Sequence, residues 1–389
     1  MICTDNVSEN ILQDSQYLIK EIEQQPRIWK ETYELIKRNK EELKTFLNDY
    51  EEVIFTGAGT SEFVGNTIFR ALDMESPVEI KSIGTTDILS HPQYYFKKDV
   101  KTLLISCARS GNSPESVATV NLANQYIDEV KHLIITCNPN GALAKYAENK
   151  NAFLLLMPEG TNDKSYAMTS SFTSMALAGY LCFHLDTLDD QRKYVEWIIN
   201  QGNYILNEKA ESLKKVVDSR KFDRLVYLGG GCLKGLAQEA ALKALELTAG
   251  KLSTMYDSPL GYRHGPSSFV KLEANSLIVM LFSCDEYSNK YDKDMFEEIV
   301  SYHGKNNYFL TITCGNEEFN LSDNYRIHMK GSNIPECYIA FPDIIVAQLI
   351  ACYRSWTYGI GPDYPFGHKD NDIAVNTTIY PNINKHIHS

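Results

Sequence analysis

The sequence predicts an α/β protein that uses one strand–glycine–helix opening twice, preceded by an arm of helices. Three observations carry this. Short apolar runs alternate with longer helical patterns, as buried parallel strands and their crossover helices do. A glycine-rich turn follows the apolar run Val53-Ile54-Phe55 and returns after Leu225-Val226-Tyr227-Leu228. Residues 8–50, ahead of both, are rich in Glu, Lys, Gln and Leu and read as helical.

Within the arm, Pro26 opens a second helix, since proline suits the first helical turn. The pattern changes at Glu52. Val53-Ile54-Phe55 ends in Thr56-Gly57-Ala58-Gly59-Thr60-Ser61, and a helical pattern runs from about Glu62 to Leu72. Further strands are expected at Val78–Ile80, Thr102–Ser106, Leu133–Thr136 and Ala152–Leu156, with a helix ending near Tyr126. After a helix-rich stretch over 170–218, Arg224–Leu228 leads into Gly229-Gly230-Gly231 and a helix from about Leu236 to Ala249. Ser276–Phe282 and Tyr308–Thr313 read as strands, and a helix from about Asp343 to Trp356 closes the repeat. The recurrence implies duplication. It sets the expected division at 1–50 for the helical arm, 51–218 for the first α/β domain and 219–389 for the second with a C-terminal tail.

Composition excludes several function classes. The 389 residues carry a net charge of −12, whereas a nucleic-acid partner calls for a basic face. An anionic small molecule is not excluded, because local N–H groups and hydroxyls bind phosphate whatever the global charge. The N-terminus, Met1 to Asn10, has neither the basic nor the apolar region of a signal peptide. No stretch reads as the roughly 20 apolar residues of a membrane span. A cytoplasmic location with no membrane partner is therefore expected. The nine cysteines form no Cys-x-x-Cys pair and have no His at metal spacing. They read as free thiols in a reducing compartment, with no metal site and no disulfide framework.

Two loops carry the first chemical signal. Gly57 to Ser61 places backbone N–H groups and two hydroxyls at a helix N-terminus that favours anions; the same residues also serve as ordinary caps. Arg109-Ser110-Gly111-Asn112-Ser113 again lies between a strand and a helix, with Pro114 and Glu115 as first-turn residues. Ligands of open α/β sheets bind at the C-terminal ends of strands, where both loops fall.

Thr56-Gly-Ala-Gly-Thr-Ser61, followed by Ile105-Ser-Cys-Ala-Arg-Ser-Gly-Asn-Ser-Pro-Glu115, resembles the sugar isomerase (SIS) fold and the isomerase half of glucosamine-6-phosphate synthase. The resemblance implies two tandem SIS domains. It also implies that Gly59, Thr60 and Ser61 face a sugar, while Ser110 and Ser113 bind its phosphate with the amides of Arg109 and Gly111. Asn112 stands where that family has Glu. Arg109–Ser116, Thr161-Asn-Asp-Lys-Ser-Tyr-Ala-Met-Thr-Ser-Ser-Phe-Thr173 and Asp257-Ser-Pro-Leu-Gly-Tyr-Arg-His-Gly-Pro266 are closer to one subfamily. They resemble the galactosamine-6-phosphate deaminase/isomerase proteins, also called tagatose-6-phosphate ketose/aldose isomerases, over about residues 10–382. By that match Thr169 and Ser170 join the substrate-binding set.

Glu239, Lys243 and Glu246 share one helix face at i,i+4 and i,i+3 spacing. Spacing alone equally describes a solvated salt-bridge stripe. The resemblance aligns Glu246 with the family's catalytic base and Lys243 with its active-site lysine, leaving Glu239 a supporting residue. His264, in the loop Arg263-His264-Gly265-Pro266, matches the His that opens the sugar ring, a task suited to a group titrating near neutrality. The chemistry needs these types. A base removes the C2 proton beside the carbonyl, which a carboxylate does only when close and desolvated. A cation stabilises the charge that develops on O1. No cofactor is required on this route.

The synthase family's tail lysine has no counterpart in Asn371–Thr377; Lys369 is the nearest. The glutaminase half of that family is also missing from residues 1–50. Galactosamine 6-phosphate deamination is therefore the expected activity, with tagatose 6-phosphate isomerisation and non-catalytic sugar-phosphate sensing as alternatives. Relatives of this kind share sites across subunits, so a homodimer or higher homo-oligomer is expected, with an active site shared between subunits.

Overall fold

The computed structural model describes residues 1–270, 275–304, 307–316, 320–367 and 378–380. Helices at Glu9–Gln13, Gln16–Glu23, Gln25–Arg38 and Lys40–Phe46 precede the first strand, and Pro26 lies in the first turn of the third. The chain then divides into two compact units.

The first unit gathers residues 31–162 and 170–189. Its sheet consists of β1 (Glu52–Thr56), β2 (Glu79–Ser82), β3 (Thr102–Ala108), β4 (Val130–Thr136) and β5 (Ala152–Leu156), in the order β2-β1-β3-β4-β5. Every pairing is parallel. All residues of β1 and β3 are buried, as central strands covered on both faces must be. Ile54, Leu104 and Ile134 pack with Val120, Ala123 and Leu143 in one core. On the other face the helix Ser170–Leu181 is buried along its whole length. Gly179 permits this: a Cβ there would lie 3.1 Å from both Ile68 and Phe55.

The second unit gathers residues 1–30, 163–169 and 190–369. Its strands are β6 (Arg224–Leu228), β7 (Ser253–Asp257), β8 (Ser276–Leu281), β9 (Tyr308–Gly315) and β10 (Tyr325–Lys330). The order β7-β6-β8-β9-β10 repeats that of the first sheet, again all parallel. Val226, Ile278, Met280, Phe282, Phe296 and Phe309 form its core.

Two edge strands, β7 and β10, are absent from the sequence prediction. Edge strands lack the continuous apolar run of a buried one. β7 is half exposed, and β10 carries Arg326, His328 and Lys330. The closing helix runs from Glu336 to Thr357, seven residues earlier than its expected start at Asp343. Pro342 lies inside it, and a proline reads in sequence as a helix start. At its full length this helix is long and apolar enough to cross a membrane, yet 94% of its apolar window is buried inside the protein, as a core helix is.

Candidate active site

The first unit holds both loops that the resemblance assigns to substrate, Gly57–Ser61 to the sugar and Arg109–Ser113 to its phosphate. β1 runs into Gly57, where a Cβ would meet the Ser61 backbone at 2.4 Å. Only glycine lets this turn close. Gly59 has φ +56° and precedes the helix Thr60–Glu75, and a Cβ on it would meet nothing within 4 Å. Thr60 and Ser61 are buried in the first turn. Beyond β3, Ser110 stands exposed. Ser113 is the N-cap of the helix Pro114–Tyr126 and accepts a hydrogen bond from the Ser116 N–H at 3.3 Å. Its hydroxyl also lies 3.0 Å from that of Ser116. The capping role and any ligand role therefore fall on the same oxygen.

The Ser110 loop is held by its neighbour after β4, a support that the sequence motifs did not reveal. Asn138 Nδ2 donates to the Ser110 carbonyl at 2.9 Å, and the Ala142 N–H donates to Asn112 Oδ1 at 2.9 Å. The Leu143 N–H donates to the Gly111 carbonyl at 3.0 Å. Gly111 has φ +66°. A Cβ on Gly141 would stand 2.4 Å from the Ser110 carbonyl oxygen. Asn112 thus stabilises the start of the next helix. The signal was present as Asn and Gly at the second turn, but it carries no chemistry on its own.

The second unit holds the acid–base candidates, on the helix Gly231–Leu247. Lys243 is fully buried, with Nζ 2.5 Å from Glu246 Oε2 and 3.4 Å from Glu239 Oε1. The Glu239 side chain is fully buried and that of Glu246 is 24% exposed. This burial is unlike a solvated salt-bridge stripe. A buried cation flanked by two carboxylates is a high-stakes arrangement, costly if any partner is lost. Of the two acids, Glu246 alone reaches solvent.

His264 sits on the turn after Pro259–Tyr262 and is exposed, its N–H donating to the Gly261 carbonyl at 3.0 Å. Gly265 next to it has φ +120°. Ser258 caps the short helix by accepting from the Gly261 N–H. Among the described residues no hydrogen bond or ion pair joins His264 to Lys243 or Glu246. The structure thus brings Glu239, Lys243 and Glu246 together and leaves His264 apart on an exposed turn.

Thr169 is buried, and its N–H donates to Asp163 Oδ2 at 2.7 Å. Ser170, also buried, starts the helix Ser170–Leu181. Glu21 secures the segment before Thr169 by accepting from the Lys164 N–H and Ser165 Oγ, both at 2.5 Å. Burial and the nearby Asp163 push the Glu21 carboxyl up to about 8. Residues 371–377, the counterpart of the synthase family's lysine-bearing tail, and Lys369 lie outside the described residues.

Comparison with known proteins agrees with this architecture. The SIS domain model matches residues 46–185. The D-galactosamine-6-phosphate deaminase AgaS of Shewanella sp. (strain ANA-3) is 36% identical over 372 residues, covering 93% of this chain and 91% of the relative. A solved chain from Clostridium novyi, provisionally called a tagatose-6-phosphate ketose/aldose isomerase, superposes with TM-score 0.91 at 43% identity. That match covers 97% of this chain and 99% of the other. The tagatose-6-phosphate ketose/aldose isomerase of Escherichia coli gives TM-score 0.83 at 35% identity, covering 94% and 96%. With two all-parallel sheets of one strand order and matches spanning nearly the full length of each relative, the chain belongs to the galactosamine-6-phosphate deaminase AgaS family of SIS-domain proteins.

Proposed function

We propose that this protein is an enzyme that converts galactosamine 6-phosphate and water to tagatose 6-phosphate and ammonia. The observation that carries the reading is the Lys243–Glu246 pair, a fully buried ammonium 2.5 Å from a carboxylate that still reaches solvent. The names of the AgaS relatives supply the substrate class.

In this reading His264 assists ring opening. Glu246 takes the C2 proton of the open-chain amino aldose, and the electron pair moves through C1 onto O1. Lys243 is the cation that balances that charge, in a site too dry for water to do so. Return of a proton to C1 gives the 2-imine. Water then adds at C2, the C2–N bond breaks, and ammonia leaves. Gly59, Thr60 and Ser61 bind the sugar, Ser110 and Ser113 hold the phosphate with the amides of Arg109 and Gly111, and Thr169 and Ser170 complete the substrate contacts. Each five-stranded sheet is taken as one SIS domain, divided at 51–218 and 219–389.

A homo-oligomer belongs to the same proposal, with His264 donated to a neighbouring subunit. Its exposure, and the absence among the described residues of a hydrogen bond or ion pair from it to Lys243 or Glu246, support this. Nine free cysteines support a reducing, cytoplasmic location. A second reading, isomerisation of tagatose 6-phosphate without loss of nitrogen, is favoured by the name of the Escherichia coli relative. Incubation with galactosamine 6-phosphate and, separately, glucosamine 6-phosphate tests the choice. Ammonia and a ketose phosphate from the galacto sugar are expected. Absence of ammonia, with interconversion of tagatose 6-phosphate, would overturn deamination in favour of the second reading.

A further inference from the structure

The two sheets have the same strand order, so their ligand-facing ends can be compared element by element. In each, a glycine turn follows the second strand from the edge: Gly57 to Gly59 after β1, and Gly229 to Gly231 after β6. The turns are built alike. A Cβ on Gly57 would meet the backbone four residues on, at Ser61, and a Cβ on Gly229 would meet the backbone four residues on, at Leu233. Gly59 has φ +56° and Gly231 φ +52°. In each, a serine lies two residues beyond the central strand: Ser110 after β3 and Ser283 after β8. In each, a long buried helix follows the last strand, opening with Ser170 in the first unit and with Glu336 in the second.

What faces the turn differs. A Cβ on Gly59 would meet nothing within 4 Å, whereas a Cβ on Gly231 would stand 2.5 Å from Glu336 Oε2. The Glu336 carboxylate accepts a hydrogen bond from Ser283 Oγ, and the Cys232 N–H at the start of the helix after the turn favours its charged form. These donors, a loop hydroxyl and a helix N-terminal amide, are the types that hold an anion. The loop is itself braced: the Ser283 N–H donates to Asp292 Oδ2 at 2.9 Å, and Asn289 Nδ2 donates to the Ser283 carbonyl at 2.7 Å.

We propose that the second unit carries a second anion cradle whose ligand is the chain's own Glu336 carboxylate, bound by Ser283, the Cys232 amide and the space above Gly231. The second sheet therefore takes no sugar phosphate, and removal of the Glu336 side chain creates a site for a small monocarboxylate. A phosphate dianion does not replace it. Asp285 repels the Glu336 charge, Asp292 accepts from the Ser283 N–H, and Asp343 lies buried two turns along the closing helix with both oxygens unpartnered among the described residues. Only the identity of the first unit's ligand rests on the proposed function; the occupancy of the second cradle does not.

The test is thermal unfolding of the full chain, wild type and Glu336→Ala, titrated with sodium formate against sodium chloride at equal ionic strength. The variant is expected to melt several degrees lower and to regain much of that in a saturable, formate-dependent rise. The wild type should show no saturable rise. An equal formate response in both proteins, or none in the variant, overturns the proposal. Should Glu336→Ala fail to fold, Ser283→Ala decides. The proposal predicts a lower melting point for it, with no formate response because Glu336 remains in place. An unchanged melting point contradicts it. Unfolding is the readout, so failure of the deaminase reading would leave this result intact.

Discussion

Gly59 and Gly231 occupy the same place in two copies of one fold, yet one faces open space and the other faces a carboxylate. The helices that follow differ in the same sense. Counted from these glycines, Glu239, Lys243 and Glu246 of the second copy fall opposite Thr67, Ala71 and Met74 of the first. The hydroxyl-bearing loop Arg109–Ser113 has, at the matching place after β8, the acidic Ser283-Cys284-Asp285-Glu286. The two sheets share one strand order and one turn geometry. Their side chains differ, with the hydroxyl loop in one and the buried ion cluster in the other. The lesson is that backbone turns persist where only glycine fits, while the residues that face those turns change freely.

The comparison can be broken most severely at Lys243. Replacing it with Met leaves two carboxylates around an apolar chain, Glu239 fully buried, and the cost is about 3–5 kcal/mol. Chemical denaturation measures it. Ala71→Met at the matching place in the first copy breaks no ion pair and is expected to cost far less.

Acid sharpens the contrast between the units. In the first, burial lowers His132 from 6.5 to about 4. The unfolded chain takes up that proton first, so stability present above pH 6.5 is lost as pH falls toward 4. In the second, burial raises Asp292 from 3.8 to about 6. There the folded chain holds the proton longer, so stability present below pH 3.8 is lost as pH rises through 6. Each shift corresponds to roughly 3 kcal/mol across its window. Urea midpoints of His132→Gln and Asp292→Asn, measured against wild type from pH 4 to 7, should diverge in opposite directions. Parallel curves would contradict the assignment.

The smallest effect concerns the glycines. Gly59→Ala should cost about 1 kcal/mol for its positive φ alone, and Gly231→Ala about 1–3 kcal/mol more, because its Cβ meets Glu336. Equal midpoints for the two variants would remove the distinction between an open and a filled turn.

Much of this was legible in the sequence. The central strands announce themselves as apolar runs, and the glycine turns as punctuation between strand and helix. The Glu239–Lys243–Glu246 spacing was visible too, but its burial was not, because i,i+4 charge pairs on solvated and buried faces read alike. Glu336 carried no signal at all. It is one acid beside Pro335, and only the duplicated topology gives its position meaning. The bracing of the Ser110 loop by Asn112 and Asn138 was hidden for the same reason: these contacts join turns more than twenty residues apart.

The account stands most directly on Glu246. Glu246→Gln keeps the shape of the side chain and removes the base, and a positioned general base contributes about 10²–10⁴ in rate. The measurement is ammonia release from galactosamine 6-phosphate by wild type and Glu246→Gln, with binding of the same sugar phosphate followed calorimetrically. The account predicts that turnover falls by at least about a hundredfold while binding stays near that of wild type. Near-normal ammonia release by the variant would contradict it.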